Sequence, residues 1–89
     1  MVYLITYDIN TAEKDYESLY EGIKALGDVQ HPLESVWFVD CDYTADGIYQ
    51  RLSSLISKQD YILVLEVKPN ATRQGWLQKD FWTWLSTRV

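Results

Sequence analysis

The sequence predicts an α+β sandwich, with elements in the order strand, helix, strand, strand, helix, strand, followed by a tryptophan-rich C-terminal helix. Three observations predict it. Strand-length apolar runs stand at residues 2–8, 35–41 and 61–67. Two intervening stretches repeat their apolar residues at helical spacing. The last stretch, GWLQKDFWTWLSTRV (75–89), places Leu77, Phe81, Trp84 and Leu85 at i, i+4, i+7 and i+8, the stripe of a short amphipathic helix.

Taken in order, Val2–Asp8 alternates Val2, Leu4 and Thr6 on one face with Tyr3, Ile5 and Tyr7 on the other. Both faces are largely apolar, as expected of a central strand covered on both sides. Asn10 and Glu13 have capping-box spacing. Tyr16, Leu19, Tyr20, Ile23 and Leu26 then form a helical stripe that Gly27 is expected to end. Val29–His31 meets Pro32 and reads as a short edge strand, because proline cannot donate to an inner ladder. Ser35–Cys41 points Trp37 and Val39 one way and Val36 and Phe38 the other. Thr44 can cap a second helix striped by Ile48, Leu52, Leu55 and Ile56. Tyr61–Val67 is the last strand, ended by Pro69.

This order is the ferredoxin-like βαββαβ arrangement. Right-handed crossovers put both helices on one sheet face. Apolar residues on the opposite face then call for a second cover, either the tail or another subunit.

Eighty-nine residues make one domain, 1–89, with residues 75–89 as an added helical tail. The core is small, so association with a second copy would add to its stability. Cys41 is the lone cysteine, so neither an internal disulfide nor a cysteine metal cluster can form. No apolar run approaches the ~20 residues of a transmembrane helix. The start shows no charged n-region or cleavage site, and a cytoplasmic protein is expected. The net charge is −5, unevenly spread: residues 1–57 carry ten acids against three bases, and residues 58–89 three acids against five bases. An acidic body disfavours nonspecific binding to nucleic acid, which needs clustered Lys and Arg.

The run ending in Tyr7-Asp8, the helix stopped by Gly27 and the stretch ESVWFVD (34–40) together resemble the small CRISPR-associated endoribonuclease family, the non-integrase partner of the spacer-acquisition complex. The related virulence-associated protein D toxins share that fold. The likeness covers about residues 2–67. It implies a ferredoxin-like homodimer paired through sheet faces, with Asp8 matching a strand-end aspartate that faces its symmetry mate and holds a divalent metal. Some family members cut RNA or DNA, and others serve as scaffolds. Members that bind nucleic acid carry arginines around strand two and helix one, a region that is acidic here. Their last strand exchanges between subunits, whereas residues 75–89 here read as helix.

Asp8 is accordingly the candidate catalytic and metal-binding residue. Mg²⁺ or another hard divalent cation is held by one or two carboxylates plus waters and phosphate oxygens. Bound there, it would polarise a phosphoryl oxygen or activate water. The structural alternative is an Asp8 that caps the following loop. Asp40 and Asp42 could add ligands or simply form a solvated turn. His31, the only histidine, is either a lone general acid or a plain loop residue. Towards the C-terminus, Lys68, Arg73, Lys79 and Arg88 with Trp76 and Trp82 mix cations and aromatics, with Arg73, Lys79, Trp76 and Trp82 as the candidate partner-binding residues. Such a mixture suits single-stranded nucleic acid or, favoured by the overall acidity, a protein partner. Two function classes result: a metal-dependent nuclease with a pair of Asp8 residues, or a non-enzymatic dimer that binds a protein as scaffold, inhibitor or regulatory subunit.

Overall fold

The alternation in Val2–Asp8 builds β1, an inner strand of a four-stranded antiparallel sheet. The computed structural model describes residues 1–10 and 16–89. Along the chain come α1 (Tyr16–Lys24), β2 (Asp28–Leu33), β3 (Val36–Asp40), α2 (Ala45–Ser53), β4 (Tyr61–Val67) and α3 (Lys79–Ser86). The sheet order is β2-β3-β1-β4, the ferredoxin-like arrangement.

Pairing fixes which residues share a face. Ile5 lies opposite Trp37 on β3 and Val64 on β4, and Leu4 lies opposite Phe38 and Leu65. The first set faces the two crossover helices. Tyr3, Ile5, Trp37 and Val39 bury there against Leu19 and Ile23 of α1 and Ile48 and Leu52 of α2. Thr44 caps α2 as its spacing predicts, accepting from the Gly47 N–H at 3.0 Å. Leu55 and Ile56 lie past the end of that helix but still pack on the core.

Three local details bear on the sequence reading. Glu13 of the capping box lies outside the described residues, and Asn10 ties β1 to the α2–β4 loop. Its backbone N–H donates to Asp60 Oδ1 at 2.8 Å, and its Nδ2 donates to the Gln59 carbonyl at 3.0 Å. Gly27 does not adopt a positive φ. Its requirement is steric, because a Cβ there would collide with the Asp40 carbonyl oxygen. β2 runs through Pro32 to Leu33, since this edge strand shifts register between Gln30 and Leu33 and needs no ladder bond from the proline.

The second sheet face is shared out unequally. α3 lays Phe81, Trp84 and Leu85 onto Val2, with Phe38 and Val67 alongside. The helix begins at Lys79, so Leu77 lies ahead of it, outside the helix, and still packs on this cluster. Helical spacing puts Trp82 off the stripe, yet it is half-buried, 5.6 Å from the Phe81 ring and close against the chain at Gly75. The rest of the face stays open.

One side chain fastens α3. Asp28 and Asp40 lie directly opposite each other on β2 and β3, a like-charge pair that is unfavourable alone. Arg88 neutralises both: Nη2 is 2.6 Å from Asp28 Oδ2 and Nε is 3.0 Å from Asp40 Oδ2. Its guanidinium also lies 4.4 Å from the centroid of the Trp84 ring. The Trp84 indole N–H is buried without a partner among the described residues, so the docking of α3 rests on apolar area and Arg88. Among the described residues, no helix is long and apolar enough to cross a membrane.

Truncating the central anchor, Trp84→Ala, is expected to cost about 3–5 kcal/mol in urea unfolding. Trp76→Ala, at a fully exposed site, should stay within about 0.5 kcal/mol. Arg88→Met should cost about 1–2 kcal/mol from lost ion pairs and ring contact. Adding Asp28→Asn should recover part of that loss by removing the exposed like-charge pair.

Candidate functional site

Asp8 stands exposed at the end of β1, on the strand face that carries Leu4 and Thr6 and opposite Tyr61 of β4. Antiparallel pairing of β1 with β3 brings the β2–β3 turn alongside it. Asp8 and Glu34 consequently line one shallow depression with Tyr7, Tyr16 and Ser35. Glu34 carries no motif that marks it. The only signal in the sequence is the hairpin, which returns the chain to the end of β1 where Thr6 faces Val36.

The other carboxylates considered with Asp8 lie elsewhere. Asp40 is in register with Val2, at the opposite end of β1. Six residues of strand separate the two levels by ~20 Å. Asp40 is also paired with Arg88, and Asp42 follows it beyond the end of β3. Neither can join Asp8 around one ion within a single chain.

An aromatic brace holds the turn. The His31 ring stacks on Trp37 at 3.9 Å between centroids, and Tyr20 meets both rings edge-on at 5.2 Å. His31 Nε2 donates to the Glu34 carbonyl at 2.8 Å. The Tyr7 hydroxyl donates to the same carbonyl at 3.3 Å and accepts from the Trp37 indole at 3.2 Å. His31 is thus a strut of the turn that carries Glu34. Burial pushes the Tyr7 phenol well above its ordinary value of 10.0, and raises that of Tyr3 as well.

Four of the six grouped cations and aromatics come together, whereas Arg88 is held by Asp28 and Asp40 and Lys68 pairs with Glu66. Arg73, Trp76, Lys79 and Trp82 line a single open depression ahead of α3. Trp76 is 99% exposed, an unusual position for so large an apolar ring. Arg73 is engaged within the chain, donating to the Ala71 carbonyl at 3.0 Å and the Val89 carbonyl at 3.1 Å. Lys79 is exposed.

Among the described residues, no three His, Cys, Asp or Glu side chains gather as a metal cluster. Asp8 and Glu34 offer the one or two carboxylates that suffice for Mg²⁺ only when water and phosphate oxygens complete its shell. The described residues of a single chain therefore provide no closed cation cage here. No protein-family model, curated protein or solved structure matches the chain.

Tyr7→Phe should destabilise the fold by about 1–3 kcal/mol near neutral pH, because the buried Trp37 N–H loses its acceptor. The folded-state phenols titrate above the unfolded value. Stability tied to them is therefore intact below about pH 10 and lost as the pH rises beyond it. Chemical unfolding across that range should show a shallower alkaline decline in Tyr7→Phe than in the wild type.

Proposed function

We propose that this chain is a homodimeric binding module that works through the sheet face α3 leaves open, with no catalytic centre complete in one chain. The observation that carries this reading is the apolar stripe on β4. Tyr61 is 70% exposed, Leu63 53% and Leu65 55%, side by side on one face of one strand. Leaving such side chains in water forgoes roughly 1.5–3 kcal/mol for each that a partner would bury. A two-fold association on the β4 side of the sheet brings two copies of the patch together, and the joint patch is the surface a further partner would cover. The exposed Trp76 with Lys79 gives the module a second surface, suited to a protein partner of acidic character.

Light scattering should give a dimer mass at micromolar concentration. Leu63→Asp should shift the protein to monomer, and at concentrations low enough for the wild type to be monomeric too, its unfolding free energy should stay within about 1 kcal/mol of the wild type, since the side chain is half exposed in the single chain. A wild type that remains monomeric through the high micromolar range would refute this reading.

A second reading is favoured by a separate observation: Asp8 is exposed at the rim of the same open face. A dimer whose axis passes near that rim would place two Asp8 carboxylates around one Mg²⁺ or similar divalent ion, the arrangement of a metal-dependent nuclease. Under this reading, Asp8→Asn abolishes metal-dependent cleavage of RNA or DNA and leaves the fold intact. Equal cleavage by the wild type and a folded Asp8→Asn variant would exclude it.

A further inference from the structure

The two edges of the sheet are built differently. β2 carries Pro32 and the register shift between Gln30 and Leu33, two devices that stop an edge from templating another strand. β4 has neither. Its seven residues, YILVLEV, pair with β1 in unbroken register from Tyr61 to Val67. Its only charge, Glu66, lies near the end and is matched 3.3 Å away by Lys68. Among the described residues, the outer side of β4 has no strand neighbour. The apolar character of this edge also continues onto the helix side. There the exposed Tyr49 of α2 lines a depression with Tyr61 and Ile62.

We propose that β4 pairs edge to edge, antiparallel, with β4 of a second copy of this chain, joining the two sheets into one of eight strands. This rests on the self-association proposed above and names its geometry. Centred on Val64, the pairing is self-complementary. Leu63 falls opposite Leu65 of the second copy, Tyr61 opposite Val67, and Ile62 opposite Glu66. No like charges meet. Just outside the strand, Lys68 falls opposite Asp60, so each end of the ladder closes with opposite charges. Centring the pairing on Glu66 would instead set two Glu66 carboxylates face to face. A two-fold axis normal to the sheet keeps both open faces on the same side, so the Leu63 and Leu65 stripes merge into one apolar platform.

The geometry has a consequence for Asp8. Three strand spacings across and six residues along the sheet separate the two copies of this residue by roughly 25 Å. The edge dimer therefore supports the binding module and disfavours a shared two-carboxylate metal site.

Amide hydrogen exchange on the intact protein tests the proposal. In an edge strand, alternate amides point outward and exchange freely; in an inner strand all are bonded. At low concentration, alternate amides of 61–67 should exchange fast. At a concentration where light scattering shows a dimer, the same amides should slow by about tenfold or more. A dimer in which they stay fast overturns the edge pairing and leaves self-association through another surface standing. A protein that is monomeric at every concentration overturns both.

Discussion

A sheet with two apolar faces must have both covered, and that constraint organises this molecule. Right-handed crossovers send α1 and α2 to the same side, so one face is sealed by the βαββαβ order itself. The opposite face receives only the chain beyond β4. An eight-residue helix is too short to span it, and α3 seals the Val2–Phe38–Val67 end alone. Where α3 sits determines how much is left exposed: the ends of β1 and β4, with Leu63, Leu65, Tyr61 and Asp8.

The position of α3 rests on the apolar seat of Phe81, Trp84 and Leu85 and on charges at the far end of the sheet. Asp28 and Asp40 face each other across two strands, and Arg88 is the cation that makes this tolerable. The N-terminal amine, 3.5 Å from Asp40, adds a second positive charge to the same cluster. Charge pairs of this exposure are individually weak. Their value here is positional: they fasten the last turn of α3 over Trp84 and away from the Asp8 end. The fastening of the tail and the openness of the rest of the face are two results of one arrangement.

The alternation of β1 and β3 and the stripes of the helices were legible in the sequence, because period-two and helical patterns are local properties of the chain. Asp8 at a strand end was legible for the same reason. Features that depend on distant pairing were not. Spacing could not show Glu34 beside Asp8, since only the β2–β3 hairpin brings them together. Nor could it show that Asp40, close to a strand end in sequence, belongs to the Arg88 cluster at the other end of the sheet. Gly27 follows the end of α1 as its position suggests, but the close approach of the Asp40 carbonyl that requires a glycine there is a contact between residues far apart in the chain. Trp82 looked free on a helical wheel, which contains no Gly75 segment to fold against it.

The proposed self-association lies on the β4 side of the sheet, where α3 leaves apolar surface in water. Small-angle X-ray scattering over a concentration series is its direct test. A single chain has a Cα radius of gyration of 13.1 Å. Two copies with centres about four strand spacings apart should approach about 16 Å as concentration rises. A radius that stays at the single-chain value up to the highest soluble concentration would rule the dimer out.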